Sequence, residues 1–390
     1  MSDIRPIAVF YTPLKHPRDL EPSGDRQIAR TLMDALRGCG FAPVLASRLL
    51  TWRRTFDPSE AERLERRAAI VADTIIRRYR RRLEPGRPRL WMSYQNYYRC
   101  PDLLGPVTAT ALGIPYVLVD TAISTRSRGT PFRPWASAAR LAARRADLIF
   151  AMSRRDLPRL AALRGTRFAE SRLLLLPPAV DVSRFDVSDT RRAEQRAALA
   201  RHVASPDGPV VLCVAMMRAT DKLDSYRLLA AGLRRLVSES PRQPWRLVVV
   251  GDGPARPDVV AAFAPLPAER IAFLGALEPE AMAPVYLGAD LLAFPGLGEA
   301  LGLVYLEAGA AGLPVLACHG PGPAAMVAPD GAVLTDATPE AYATGLARLL
   351  DDPLARRRMG AAGRRLVTAE HTVDALQRRL KEGLARLSSP

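Results

Sequence analysis

Phe294-Pro-Gly-Leu-Gly-Glu299-Ala-Leu-Gly302-Leu-Val-Tyr-Leu-Glu307-Ala-Gly-Ala-Ala-Gly312-Leu-Pro314-Val-Leu-Ala317 is the most informative stretch of this 390-residue chain. An apolar run, Leu291–Phe294, enters a Gly-rich turn; a helical stretch follows, and Gly312-Leu-Pro314 separates it from a second apolar run. That order predicts strand, loop, helix, strand, with Glu299 in the loop and Glu307 about two turns into the helix. At about 3.6 residues per turn, positions eight apart lie about 80° out of line, so the two carboxylates need not share a face. Free N–H groups at a helix start favour an anion, and a nearby carboxylate can grip sugar hydroxyls. A satisfied surface glutamate is the alternative for Glu307, and Gly302, Gly312 and Pro314 beside it favour a functional one.

Working outward, 390 residues predict two domains of ordinary size. Mean hydropathy is near zero and no run approaches the roughly 20 apolar residues that span a bilayer. The start, Met-Ser-Asp-Ile-Arg-Pro, lacks the apolar core of a signal peptide. Cys39, Cys100, Cys213 and Cys318 are scattered without a CxxC, which predicts reduced thiols and a cytoplasmic protein. The net charge is +16, with only three lysines, Lys15, Lys222 and Lys381, so arginine carries nearly all of it. Arg53–Arg89 is the richest segment, and within it Leu64, Ala68, Val71, Ile75, Tyr79 and Leu83 recur at helical spacing. The arginines then coat the opposite face, either as a plain solvated surface or as a peripheral contact with the anionic inner face of a membrane. Nucleic-acid binding would rest on charge alone and is not expected.

Strands are expected at Ile7–Tyr11, Pro43–Ala46, Leu90–Ser93, Tyr116–Val119, Leu148–Ala151 and Leu173–Leu176, with a helix from Asp25 to Arg37. Ser183–Gly208 is polar and reads as a linker with a short helix. A second series follows, with strands at Val210–Ala215, Leu247–Val250, Ala272–Leu274, Leu291–Phe294 and Val315–Ala317, and helices such as Ser225–Val237 and Pro279–Leu287. Two βα series joined by a linker predict an α/β fold of two doubly wound domains with parallel sheets facing across a cleft. Domain bounds are placed at 1–185 and 186–370, and 371–390 forms a C-terminal helix packing back on the first domain.

Four features of the second series fall after strand ends. Arg218 and Lys222 follow the first strand, where two cations suit a diphosphate. Gly251 and Gly253 in Val248-Val-Val-Gly-Asp-Gly-Pro permit close backbone approach, which a plain tight turn explains equally. Residues past Phe273-Leu-Gly275, with Leu277 among them, could border a nucleobase or simply lead into a capped helix. The opening stretch is the fourth. No Asp-x-Asp or His cluster suggests a metal, so neither metal nor cofactor is expected.

These residues resemble the retaining GT-B glycosyltransferases, specifically glycosyltransferase family 4 with its Glu-x7-Glu motif. The matching pieces are Glu299-Ala-Leu-Gly302, Leu306-Glu307-Ala308 and Gly312-Leu-Pro314-Val315. Further matches are Arg218 and Lys222, Val250-Gly-Asp-Gly253-Pro, Ala146-Asp-Leu-Ile-Phe-Ala-Met-Ser153 and Leu176-Pro-Pro-Ala-Val-Asp181. Asp330-Gly331 and Arg357-Arg-Met-Gly360 extend it, and the likeness is strongest from Val210 to Gly363. The resemblance implies a Rossmann-like acceptor domain followed by a Rossmann-like donor domain. It implies metal-independent transfer, with retention, from a nucleotide-diphosphate sugar, UDP- or GDP-linked, to a glycan, lipid-linked or cell-surface acceptor. Glu307 would bind ribose hydroxyls and Glu299 donor-sugar hydroxyls. Arg218 and Lys222 would stabilise the departing diphosphate, and Gly302 and Leu303 would present backbone N–H groups to it. Gly24, in Ser23-Gly24-Asp25, would let backbone approach the phosphates.

The chain departs from the family in its first half. Where the family often carries a histidine after the fourth strand, this chain has Asp120-Thr121. Asp120 could bind a sugar, orient the acceptor or cap a turn. Tyr94-Gln-Asn-Tyr-Tyr-Arg99 reads as an aromatic, amide-rich loop after a strand, fit for sugar stacking or for a core edge. His319 sits in Cys-His-Gly-Pro-Gly-Pro near the donor end, in a segment lacking the family's usual glutamate. A catalytically silent relative that binds nucleotide sugars, or a nucleotide-sugar epimerase, remains an alternative.

Overall fold

The alternating pattern is realised in a computed structural model as two units, one of Met1–Pro178 with Val373–Pro390 and one of Ala179–Thr372. The structure describes residues 5–123, 130–163, 172–205 and 207–387. The first unit runs β1 (Ile7–Tyr11), α1 (Gly24–Gly38), β2 (Ala42–Leu45), α2 (Pro58–Arg80), β3 (Pro88–Asn96), α3 (Gly105–Leu112), β4 (Tyr116–Thr121), α4 (Arg133–Arg145), β5 (Leu148–Ala151), α5 (Leu157–Ala161) and β6 (Leu173–Leu175). The second runs α6 (Asp189–Ala200), β7 (Val210–Val214), α7 (Asp221–Glu239), β8 (Arg246–Val250), α8 (Arg256–Phe263), β9 (Ile271–Gly275), α9 (Pro279–Gly288), β10 (Leu291–Ala293), α10 (Leu303–Ala310), β11 (Val315–Cys318), α11 (Pro321–Met326), β12 (Ala332–Thr335), α12 (Pro339–Asp351) and α13 (Pro353–Glu370). The chain then returns to the first unit as α14 (Val373–Ala385), which packs on α1.

Both sheets are six-stranded and parallel, as expected of doubly wound α/β domains. The first has the order β2-β1-β3-β4-β5-β6 and the second β12-β11-β10-β7-β8-β9. Strand order therefore reverses between β1 and β3 in one and between β7 and β10 in the other. In such sheets ligands bind outside the carboxyl ends of the strands at that reversal. Strands buried on both faces read as continuous apolar runs: Leu212, Val248, Leu292 and Leu316 are fully buried, as are Val9, Trp91, Leu118 and Ile149.

Local chemistry sets the helices. Ser23 caps α1 by accepting from the Arg26 N–H at 3.2 Å, and Ile28, Leu32 and Leu36 form its buried stripe. Asp57 caps α2 in the same way through the Glu60 N–H at 3.0 Å, with Pro58 in the first turn. Its buried stripe, Leu64, Ala68, Ile75 and Tyr79, follows the expected spacing. Leu83 does not belong to it: α2 ends at Arg80 and Leu83 is 83% exposed. Pro85 and Gly86 follow at once, so the helical period was extended past its physical end. Tyr94 corrects a second expectation. The strand continues through Asn96, so Tyr94 lies within β3 and is buried rather than on a loop. Asn96 explains the extension, since its amide donates to Thr121 Oγ1 (2.8 Å) and to the Ala139 carbonyl (2.9 Å), tying β3 to β4 and α4. Among the strands, β12, short and half-buried at a sheet edge, went unread; the short helix expected within Ser183–Gly208 is α6, which packs on α9.

Candidate functional site

The reversal in the second sheet brings the loops after β7 and β10 side by side. The β10 loop, Phe294–Gly302, is fixed from several directions. The Leu297 N–H donates to Ser225 Oγ at 3.0 Å, the Gly322 N–H donates to the Glu299 carbonyl at 3.0 Å, and Tyr305 O–H donates to the Phe294 carbonyl at 3.2 Å. Gly302 then starts α10 at φ 76°, a left-handed conformation that a side chain would strain. The N–H groups of Leu303 and Val304 lie in that opening turn, where an anion is favoured.

Lys222 occupies the first turn of α7, one step further from its strand than a loop position, and forms an ion pair with Glu299. Both are half-buried, and the Lys222 ammonium lies 4.9 Å from the centre of the Phe294 ring. Arg218 is exposed in the turn before α7, and its carbonyl accepts from the Thr220 N–H (2.8 Å) and the Leu223 N–H (3.2 Å). Glu307 is the fifth residue of α10, just over one turn in rather than two. Tyr286 of α9 donates its O–H to Glu307 Oε2 at 2.7 Å. Burial pushes the Glu307 carboxyl above the usual carboxylate range, opposed by that hydrogen bond and by Arg184.

Gly251 and Gly253 follow β8 at φ 143° and 150°. A Cβ on Gly251 would stand 1.9 Å from the Ala215 carbonyl oxygen, and one on Gly253 would stand 2.4 Å from that of Met217. These glycines therefore let the β8 loop lie against the β7 loop that carries Arg218, a structural demand sufficient in itself. Leu277, after β9, is packed against the apolar core of the unit, and His319, just past β11, is exposed. Along the rim the order is His319, Glu299 with Gly302, Arg218 with Lys222, Gly251 with Gly253, then Leu277.

The first unit has its own rim. Gly24 and Asp25 open α1, and Gln95 Nε2 donates to Asp25 Oδ1 at 2.7 Å across the reversal between β1 and β3. Gln95 and Asp120 stand side by side in the register of β3 and β4, between Tyr94–Val119 and Asn96–Thr121. They are the two non-glycine residues with positive φ among the described residues, at 75° and 57°. The Asp120 carboxyl is pushed up to about 7, first by burial and then by Asp25 and Asp156, with a hydrogen bond to Gln95 and the Arg155 guanidinium opposing. Thr121 is buried and donates to the Asn96 carbonyl at 2.9 Å. Tyr286 and Asp156 were not singled out from sequence, and Gln95 was read only as part of an amide-rich loop. Tyr286 meets Glu307 only through packing of α9 on α10, and nothing in a Gln-Asn pair announces a backbone kink.

With this geometry in hand, comparison places the second unit among known proteins. Residues 208–352 match the family model described as Glycosyl transferases group 1. Over 214 residues the chain is 32% identical to the GDP-mannose-dependent monoacylated alpha-(1-6)-phosphatidylinositol monomannoside mannosyltransferase of Corynebacterium glutamicum, covering 53% of this chain and 54% of that protein. Over 240 residues it is 32% identical to the D-inositol 3-phosphate glycosyltransferase of Kineococcus radiotolerans, covering 55% and 54%. The chain thus spans about half the length of the curated relatives it matches. Sucrose-phosphate synthase from Thermosynechococcus elongatus shares the fold, with a TM-score of 0.73 at 20% identity over 98% of this chain and 99% of that one. The fold is of the GT-B type, built from two Rossmann-like domains.

Proposed function

We propose that the protein is a glycosyltransferase acting on a nucleoside-diphosphate sugar, with retention of anomeric configuration and without a metal, toward a glycan or lipid-linked acceptor. The observation that carries this reading is the Lys222–Glu299 ion pair beside the N-terminus of α10, at the strand-order reversal of the second sheet. Lys222 and Glu299 neutralise each other. A diphosphate arriving at the start of α10 competes for Lys222 and leaves Glu299 to accept from sugar hydroxyls. As the bond from the anomeric carbon to the phosphate oxygen breaks, negative charge grows on that oxygen. Lys222, Arg218 and the first N–H groups of α10 meet it there, as fixed charges and dipoles do best. The acceptor hydroxyl bonds to the anomeric carbon on the same face and passes its proton to the leaving phosphate. Glu307, with Oε2 engaged by Tyr286, keeps its other oxygen for a ribose hydroxyl.

The name of the Corynebacterium relative makes GDP-mannose the first donor to assay, and the inositol in both relatives' names makes inositol-bearing acceptors the first panel. The exposed arginines of the α2 region, among them Arg78, Arg81 and Arg82, with exposed Ile70 and Leu83, suit a peripheral contact with an anionic membrane. Among the described residues no helix is long and apolar enough to cross one. Thermal shifts with UDP, GDP and ADP, followed by transfer assays with proton NMR of the product anomer, test the whole reading. A large shift from one diphosphate and an anomer matching the donor are expected. No shift from any of them would defeat the site assignment. Nucleotide binding without turnover across a broad acceptor panel would reassign the protein as a nucleotide-sugar-binding subunit.

A further inference from the structure

The amino edge of the first sheet carries a cavity that the proposed transfer does not use. It has a volume of about 440 Å³ and lies between the end of α2, the start of β3 and the turn from α3 into β4. β3 and β4 are neighbours in the sheet, and the Trp91 N–H donates to the Pro115 carbonyl at 2.9 Å, so strand pairing holds this edge together. The volume falls in the roughly 300–1,000 Å³ range of small-molecule sites. Doubly wound sheets take their usual ligands at the opposite edge, so this is a separate place on the molecule. Arg80, Arg87 and Arg89 line it, and Glu84 is the one carboxylate among its lining residues. Each guanidinium has five N–H donors, and few of them are spent. Arg80 donates to the Ala111 carbonyl (3.0 Å), Arg87 to those of Arg82 (2.8 Å) and Arg80 (3.5 Å), and Arg89 Nη2 lies 3.2 Å from Glu84 Oε1.

We propose that this cavity, through Arg80, Arg87 and Arg89, binds a phosphate monoester. Arg80 and Arg87 answer the carbonyl ends of α3 and α2, and such ends carry about half a negative charge each. Those two ends and Glu84 together offset about two of the three guanidinium charges and leave roughly one positive charge in the cavity. Exposed Arg81 and Arg82 add to it, with the Arg82 guanidinium 5.6 Å from the centre of the Tyr79 ring that lines the same cavity. The unspent N–H groups suit an anion with several acceptor oxygens. A phosphate monoester presents three and pairs bidentately with guanidinium groups; a carboxylate presents two in one plane. Inorganic phosphate would fill little of the volume, whereas an ester brings a polar body with it. Glu84 is the group that a phosphate displaces from Arg89, so its charge opposes binding. Two sources carry this chemistry: a soluble phosphorylated metabolite and a lipid headgroup, the second in keeping with exposed Leu83 between the arginines. The inference does not rest on the glycosyltransferase reading.

The test is calorimetry on the full chain at low salt and pH 8, where the monoester is a dianion. The probe is glycerol 3-phosphate, with glycerate as the carboxylate comparator and glycerol as the uncharged one. Cosedimentation with phosphatidylcholine vesicles, with and without phosphatidate, is read in parallel. Glycerol 3-phosphate is expected to bind about fivefold or more tightly than glycerate, and glycerol not at all. Arg87→Gln with Arg89→Gln should weaken it about tenfold, the scale of hydrogen bonds to charged groups. Glu84→Gln, at an exposed carboxylate, should tighten it about threefold by removing the opposing charge. Arg66→Gln with Arg67→Gln makes the same change of net charge in the first half of α2, outside the cavity, and should leave affinity within about twofold. Loss of phosphatidate-vesicle binding along with the soluble probe in the Arg87 and Arg89 variant assigns a lipid headgroup; loss of the soluble probe alone assigns a free phosphate ester. The proposal is overturned if glycerol 3-phosphate does not bind, if glycerate binds as well, or if both arginine pairs weaken binding equally, which would reduce it to net charge. If the Arg87 and Arg89 variant does not fold, Glu84→Gln decides alone, and unchanged or weaker binding overturns the proposal.

Discussion

Between β7 and β10 the second sheet presents Arg218 and Lys222, glycine turns and the start of a helix, with Glu299 held against Lys222. Between β1 and β3, and on the next strand ends, the described residues of the first sheet include Asp25, hydrogen-bonded by Gln95, and Asp120 and Asp156. The backbones are alike: six parallel strands with one reversal of order. What differs is the side chains that each reversal brings together among the described residues. A parallel sheet supplies a place for a ligand, and the loop residues decide which ligand. A cationic rim with free N–H groups suits a diphosphate.

The strongest way to break this contrast is to remove the cation. Lys222→Ala should lower sugar transfer by about 10²–10³-fold, the usual loss when a charge-stabilising group is deleted. Steady-state rates with GDP-mannose or UDP-glucose, beside unchanged circular dichroism, check it; near-wild-type turnover would remove Lys222 from the site. Next in size is Gly251→Ala. Its Cβ cannot coexist with the Ala215 carbonyl, so the β7 and β8 loops must part, and destabilisation of about 2–4 kcal/mol is expected in urea melts. An unchanged midpoint would show that the β7 loop yields freely.

The carboxylate rim makes the opposite kind of prediction. The Asp120 carboxyl lies at about 7 in the fold against an ordinary 3.8. Because the folded value is raised, the folded chain holds this proton more tightly than the unfolded one. Its contribution to stability is complete below pH about 4 and is lost as pH rises to about 7. The groups acting on Asp120 are Asp25 from α1, Gln95 from β3, and Asp156 and Arg155 from the turn after β5. Asp120→Asn should therefore melt higher than the wild type at pH 8, by about 2–4 °C if roughly 1 kcal/mol is recovered. The gain should vanish near pH 4, and a gain independent of pH would contradict the carboxylate cluster. The smallest effect is expected from Tyr286→Phe, which deletes one hydrogen bond to Glu307. Nucleotide affinity should fall about 3- to 10-fold by calorimetry, in keeping with the net worth of one ordinary hydrogen bond. A larger loss would mean that Tyr286 also positions α10.

Much of this was visible in the chain. Strands such as Leu148–Ala151 were readable because they are short apolar runs bounded by polar or turn residues, and helices such as α1 because cap, stripe and stop coincide. The reading failed where a tertiary contact outweighed the local pattern. β3 runs on through polar Gln95 and Asn96 because Asn96 is satisfied by Thr121 and Ala139. α2 stops before Leu83 although the apolar spacing continues.

The candidate site divides along the same line. Residue types were legible: glycines where backbone must approach backbone, cations after a strand, two glutamates around a helix start. Which of them meet was not. Lys222 and Glu299 are 77 residues apart, with β8 and β9 between them in the chain, and they touch because β10 pairs with β7. Gln95 reaches Asp25 across 70 residues because β3 pairs with β1. Periodicity and caps are local and can be read from neighbours along the chain. Strand order is settled by which helices and strands pack together over long separations, and that order decides which loop residues meet at each rim.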